Sequence, residues 1–338
     1  MKKLFIIALL ISLVFSSVFA DDASKPITFS GNIMTGMRAD ITKNEQVIYA
    51  NEDSNSTPIW TNFRLDYVID KNSGAVWNFR TKGTDVISKN QSTVYPFLNR
   101  GFVWGKFANG QARVRSGYLW DSDFESSNNA WDTASNYEWV TELVFFPAEN
   151  LEIGATLPTP YDKMDLDDAL KNVTYGIVYS PAGFRFSAMG EYGDVAATRS
   201  VNFGVDYTGF KNTLFRVEGD LQQVGYADLG YNQLFQEIGY TFGAITSNIQ
   251  VTEWLYKDGS ANKIKLYPNL TLVNGDLIYF AGFNLTVTEG VDDLYKQVEV
   301  SVKAPFNSKA SIKGGSYFTF DPAADFMFSP YVEFVASF

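Results

Sequence analysis

The chain ends Pro330-Tyr331-Val332-Glu333-Phe334-Val335-Ala336-Ser337-Phe338. Alternate positions of this stretch are apolar, namely Val332, Phe334, Ala336 and Phe338. An extended chain sends successive side chains to opposite faces, so these four side chains share one face and Glu333 lies on the other. This period of two predicts a β-strand with one apolar and one polar face.

The same alternation extends back to about Pro26, and helical periodicity is almost absent. We count eighteen such segments, with sixteen as the alternative, and expect them to start near residues 26, 60, 74, 98, 111, 137, 151, 172, 184, 200, 213, 233, 247, 262, 276, 294, 309 and 329. Short turns, such as Asp70–Ser73 or Asn274–Gly275, alternate with longer acidic connections, such as 39–59. This rhythm predicts an all-β, up-and-down antiparallel meander with both termini on the short-turn side. We expect one domain over residues 21–338.

The N-terminal segment has the order of a secretory signal peptide. Lys2 and Lys3 precede an apolar run over 4–13, and small residues lead to Ala20 before two aspartates. We expect cleavage after Ala20, which removes two lysines and takes the formal charge from −11 to −13. No later segment has the roughly 20 consecutive apolar residues of a transmembrane helix.

Composition excludes several classes of function. The chain has no Cys and no His, so thiol nucleophiles, Ser-His-Asp triads, disulfides and histidine-ligated metals are impossible. We expect no cofactor and no metal site. The excess of acids disfavours nucleic acid as a partner. We also expect no enzyme activity, because the carboxylates fall in loops or on a wet face where nothing raises a pKa.

Two folds suit alternating strands, and they place the polar face differently. A soluble sandwich or barrel would turn its apolar face inward. An eighteen-strand closed barrel is too wide for side chains to fill, so its inner face must be wet and its outer face must meet lipid. The 16% aromatic content favours the membrane barrel, because Trp and Tyr concentrate at bilayer interfaces.

The final strand resembles the C-terminal strand of Gram-negative outer-membrane porins, although no porin subfamily is identified. The resemblance implies that Phe334 and Phe338 form part of an assembly signal. It implies an outer-membrane location, short periplasmic turns, long external loops and contact with lipid and with the assembly machinery of that membrane. It also implies a homotrimer.

Charged strand residues that fall opposite the apolar face are the candidates for pore lining and selectivity, because a charge on the lipid face is costly. They are Arg38, Arg64, Arg80, Lys82, Arg113, Arg115, Glu138, Glu142, Glu152, Arg185 and Arg216. The connection over 121–136 is a candidate constriction loop; an acidic surface loop is the alternative interpretation. Its acids are Asp121, Asp123, Glu125 and Asp132.

The sequence therefore favours a passive channel for ions and small hydrophilic solutes. One alternative is a saccharide-specific channel, since eighteen strands resemble the maltoporin-like barrels. Its candidate lumen aromatics are Phe102, Trp104, Phe280 and Tyr317. The other alternative is a structural or adhesive surface protein in which the acidic loops carry the function.

Overall fold

The computed structural model of the chain describes residues 27–41, 45–49, 59–84, 93–119, 124, 138–158, 173–191, 200–224, 230–291, 294–321 and 326–338. The predicted signal peptide, residues 1–20, lies outside these ranges. The strands are β1 (Ile27–Asp40), β2 (Glu45–Tyr49), β3 (Ile59–Asp70), β4 (Ser73–Thr84), β5 (Thr93–Phe107), β6 (Ala112–Leu119), β7 (Glu138–Ala148), β8 (Leu151–Pro158), β9 (Thr174–Tyr179), β10 (Phe184–Glu191), β11 (Ser200–Tyr207), β12 (Thr213–Gln222), β13 (Tyr231–Phe242), β14 (Ile245–Tyr256), β15 (Lys263–Asn274), β16 (Leu277–Thr288), β17 (Tyr295–Asn307), β18 (Ala310–Phe320) and β19 (Met327–Ser337). A single 3₁₀ turn, Ala108–Gly110, joins β5 to β6.

Eighteen of these strands close into one antiparallel barrel. From β3 to β19 each strand pairs with the next, and β1 completes the ring by pairing with both β3 and β19. The prediction of eighteen strands is confirmed, and the alternative of sixteen is wrong. The short strand β2 was not predicted. It falls within the connection 39–59 and pairs with Gly36–Asp40, the part of β1 that extends beyond its contact with β3.

The connections alternate in length, as predicted. One side of the barrel, called here the turn side, carries eight connections of two to five residues, and both ends of the barrel domain lie there. Side chains stabilise some of these turns: Asp70 accepts hydrogen bonds from the Asn72 N–H at 2.7 Å and the Ser73 hydroxyl at 2.8 Å. Asn150 and Asn212 adopt left-handed φ angles of 63°, which Asn tolerates better than most residues.

The predicted turns overlap the strands that they join. The turn predicted over Asp70–Ser73 is only two residues long, since Asp70 belongs to β3 and Ser73 to β4, and Asn274 of the second predicted turn belongs to β15. The turn after β17 is also two residues long, and a register irregularity at Pro305 and Asn307 lies in the strand just before it.

Large apolar side chains cover the outer face of the barrel. They are exposed on strand after strand, for example Ile238 at 52% and Phe334 at 45%. Side chains at these positions pair across strands with one another, as in Phe215 with Ile238, so the exposed apolar positions form one continuous face. Such a surface is far too apolar for water and suits the hydrocarbon of a bilayer. None of the described residues belongs to a helix that is long and apolar enough to cross a membrane.

The chain end helps to close the barrel. The Phe338 N–H donates to the Gly31 carbonyl at 3.0 Å, and the Gly31 N–H donates back to the Phe338 carbonyl at 3.2 Å. The Phe338 ring lies 6.2 Å from that of Phe63, which in turn lies 5.7 Å from Phe29. Phe334 and Phe338 therefore lie on the exposed apolar face, where the alternation of the final strand predicted them.

A polar pair, Gln236 and Glu253, lies on the outer face. Gln236 and Glu253 share the face of Val251 and Ile249, and the Gln236 amide donates to the Glu253 carboxylate at 3.4 Å. Glu253 lies three residues before Tyr256, where β14 ends on the long-loop side. The charge is therefore close to the edge of the barrel, where its cost in lipid is lowest.

Because one face of the barrel is apolar and the other is polar, a lysine introduced at two adjacent positions should change the free energy of unfolding by different amounts. Leu270 is exposed on the outer face and Thr271 points inward beside Phe280. Leu270→Lys should lower the free energy of unfolding in lipid vesicles by roughly 2 kcal/mol, because the ammonium group meets hydrocarbon. Thr271→Lys is the control and should cost far less. Equal costs in urea titrations of the two variants would contradict this orientation.

Candidate functional site: the inner wall

The candidate pore-lining residues of β1 to β12 whose side chains are described share the inner face. Cross-strand register sets each of them opposite another inward residue, for example Arg115 opposite Glu142 and Arg216 opposite Glu237. The others are Arg38, Arg64, Arg80, Arg113, Glu152 and Arg185. The side chains of Lys82 and Glu138 fall outside the described side chains. The acids of the candidate constriction loop, Asp121, Asp123, Glu125 and Asp132, lie outside the described residues.

A basic sector covers β3 to β6. Among the described inward side chains of these strands, the bases are Arg64, Arg80, Arg100, Lys106, Arg113 and Arg115, and the acid is Asp66. The sequence did not single out Arg100 or Lys106. The strand that holds them was expected near residue 98, but β5 begins at Thr93, and a register shift at Asn78 and Phe79 changes its phase.

The basic sector contains a buried ion pair. The Arg115 guanidinium donates two hydrogen bonds to the Glu142 carboxylate, at 2.8 and 2.9 Å, and both side chains are almost fully buried. The Phe102 ring lies 5.5 Å from the same guanidinium. Arg113 reaches within 3.9 Å of Glu142 and remains partly accessible, with 22% of its side chain exposed. Glu142 is in contact with both arginines, and Glu152 acts on Arg113 electrostatically from a longer distance.

Arg64 differs from this cluster because it is solvated. It makes a two-fold contact with Asp66 on its own strand, at 2.7 and 2.8 Å, but 41% of its side chain is exposed. Pairs with this degree of exposure contribute little to stability.

Phe124, the described residue of the connection between β6 and β7, lies against the inner wall of the barrel. Phe124, from the candidate constriction loop, is completely buried and packs on inward-facing Val144, Val178 and Met189. Its ring lies directly over Gly176, where any Cβ would overlap it. The loop therefore contacts the inner wall at this point. Phe124 is not among the predicted site residues, because the chemical signal of this segment in the sequence is its acids.

An acidic sector lies across β11 to β14. Arg216 donates to Asp206 at 2.8 Å and to Glu237 at 2.7 Å, and its guanidinium lies 3.7 Å from buried Glu218. The Gln250 amide donates to the other oxygen of Glu237 at 2.9 Å. Three carboxylates around one guanidinium leave this part of the wall negative. The described residues contain no group of three or more Asp or Glu arranged to hold a metal ion.

Comparison with known proteins supports the fold and leaves the function open. No protein-family model and no curated protein matches the sequence. Among solved structures, a multiply substituted variant of Rh. blastica porin is similar at a TM-score of 0.52 and 14% identity, over 92% of this chain and 100% of that one. A loop-deletion variant of OmpT, an outer membrane protein of Vibrio cholerae, is similar at a TM-score of 0.50 and 12% identity, over 92% and 99%. The chain thus has the barrel fold of outer-membrane porins.

The buried pair predicts a stability difference between two carboxylates. Glu142→Gln should lower the free energy of unfolding by about 3 kcal/mol, because it leaves the buried Arg115 without its charge partner. Asp66→Asn removes the same charge from the exposed Arg64 pair and should cost less than about 1 kcal/mol. Urea unfolding of both variants tests this. If the Glu142→Gln variant were as stable as the Asp66→Asn variant, water and not Glu142 would be stabilising the charge of Arg115.

Proposed function

We propose that this protein is an outer-membrane porin that passes ions and small hydrophilic solutes by passive diffusion. The observation that carries the proposal is the chemical division of the wall, with charged side chains inside a closed ring and exposed apolar side chains outside. A barrel of eighteen strands is wide enough for a water-filled lumen. The fold of the similar solved structures supports the same function. We propose no enzyme activity.

The location and assembly follow from this proposal. Export would begin with the signal peptide over residues 1–20. The outer-membrane assembly machinery would then recognise the final strand, including Phe334 and Phe338, and deliver the barrel to the lipid of the outer membrane. Trimer formation is part of the proposal only through the porin resemblance.

The proposed selectivity filter combines the basic sector with the loop that Phe124 anchors. Phe124 lies on β7 to β10, next to the sector that holds Arg113 and Arg115. The neighbouring acids, including Asp123 and Glu125, would then lie within the lumen opposite a basic wall. Charges of opposite sign across a narrow pore produce a transverse field that orders water and sorts ions.

Reconstitution into planar bilayers tests the channel itself. Pure folded protein should give stepwise conductance, and its absence would overturn the proposal. In a salt gradient, Arg113→Gln should shift the reversal potential toward cation selectivity, because Arg113 adds positive charge at the lumen. Lys296→Gln is the control, since Lys296 faces outward beside Leu285. Equal shifts in both variants would assign the effect to general surface charge.

The loop anchor makes a separate prediction. Gly176→Ala should displace Phe124, because the new methyl group overlaps its ring, and the single-channel conductance should rise as the loop leaves the lumen. Gly190→Ala is the matched control, since the nearest atoms to a Cβ there lie 3.8 and 3.9 Å away. An unchanged conductance in a folded Gly176→Ala channel would exclude this loop as the constriction.

A further inference from the structure

A recess of about 710 Å³ lies in the inner wall next to the basic sector, since it reaches β1, which pairs with β3. Its lining comes from β1 and from β15 to β19, the strands on either side of the barrel seam. Sites for small molecules in proteins typically have volumes of about 300 to 1,000 Å³ and combine apolar surface with a few polar groups. The recess has both properties.

The first component is a pair of lysines. Lys303 on β17 lies directly opposite Lys313 on β18, and both side chains line the recess. Lys313 is engaged by Glu299, with its ammonium nitrogen 3.0 Å from the carboxylate. Lys303 is exposed, and no carboxylate within the described part of the chain lies within ion-pair distance of it. An adjacent cation that has no acid partner is suited to bind an anion.

The charge of the whole recess has the same sign. Its bases are Arg38, Lys265, Lys303 and Lys313, and its acids are Glu299 and Glu333, which gives a formal charge of 4 − 2 = +2. Both acids line the recess, and a carboxylate has about four acceptor sites, so they can accept further hydrogen bonds from hydroxyl groups of a bound solute beside those that Glu299 already accepts.

The second component is aromatic surface. Tyr317 lines the recess, and its ring stacks at 5.0 Å on the ring of Tyr331, whose hydroxyl donates to Glu299 at 2.7 Å and so fixes this pair. Phe280 also lines the recess, lies opposite Ser301 and is only partly buried. Its ring approaches Gly282, where the lack of a side chain lets the ring lie against the wall. Phe280 therefore presents apolar surface to the lumen, two strands from Lys313.

The third component is a set of uncharged side chains that can form hydrogen bonds. Asn284 and Gln297 lie opposite each other at one end of the recess, and Ser329 adds a hydroxyl next to Tyr317. Together with Glu299 and Glu333 these groups can serve several donors and acceptors at once. A simple inorganic anion would leave most of them unused.

We propose that this recess is a binding site for a sugar acid that passes through the channel. The carboxylate of such a solute would pair with Lys303, and its C–H face would lie on Phe280. Its hydroxyl groups would bind the amides of Asn284 and Gln297 and the two carboxylates of the recess. A neutral sugar has no carboxylate to pair with Lys303. An aromatic carboxylate has no hydroxyl groups to bind Asn284, Gln297 and the two glutamates. The inference depends on the proposed channel function and specifies a substrate class for it.

Current block by D-glucuronate in planar bilayers tests the proposal, with D-glucose and benzoate as comparison solutes. Glucuronate should reduce the single-channel current saturably, with a half-blocking concentration at least tenfold below that of either comparison solute. Lys303→Gln and Phe280→Ala should each raise that concentration about tenfold. Lys263→Gln is the control, because Lys263 is an inward-facing lysine on β15 outside the recess and should leave the block unchanged.

Three results would overturn the proposal while leaving the channel function intact. Passage of glucuronate through an open channel without block would show that the recess does not bind it. Equal block by glucose or by benzoate would show that the recess does not distinguish the combination of charge and hydroxyls. Equal effects of Lys303→Gln and Lys263→Gln would assign the block to total lumen charge. Failure of the channel function itself is distinct, since no conductance would then appear before any solute is added.

Discussion

The backbone hydrogen bonds across the barrel seam are the interaction on which the rest of the structure depends. A backbone N–H or C=O in hydrocarbon has no water to bind, so strands can cross a bilayer only if no sheet edge remains unpaired. Here Asn32–Arg38 of β1 pair with Tyr331–Ser337 of β19, and the preceding part of β1 pairs with β3. This closure fixes an even number of spanning strands and places both ends of the barrel domain on the turn side.

Closure also determines where the charges go. Once one face meets lipid, most Arg, Lys, Asp and Glu side chains of the strands must point inward, with Glu253 and Lys296 near strand ends as exceptions. The register then decides which inward charges meet. The inner wall is therefore uneven: Arg113 and Arg115 share one carboxylate, whereas Arg216 is surrounded by several. The lumen has a basic sector, an acidic sector and the positively charged recess near the seam, and each can act on a solute differently.

The period-two pattern was sufficient to predict the eighteen strands of the barrel, the inner face of the charged candidates whose side chains are described, and the outward position of Phe334. It did not predict the inner-face position of Arg100 and Lys106 on β5. It could not predict which residues pair across strands, because the sequence does not state the register. The contacts of Arg216 with Asp206 and Glu237 therefore came only from the structure. Irregular pairing caused the error at β5, and the burial of Phe124 depends on Gly176, which is distant in sequence.

The most direct test of this account uses the absence of cysteine from the chain. Residues 297 to 303 of β17 would be replaced by cysteine one at a time. Each folded variant would then be exposed, in lipid vesicles, to a charged, water-soluble maleimide. The account predicts labelling at 297, 299, 301 and 303, which face the lumen, and protection at 298, 300 and 302, which face lipid. Labelling with the opposite phase, or with no alternation, would contradict the division of the wall into a wet inside and an apolar outside.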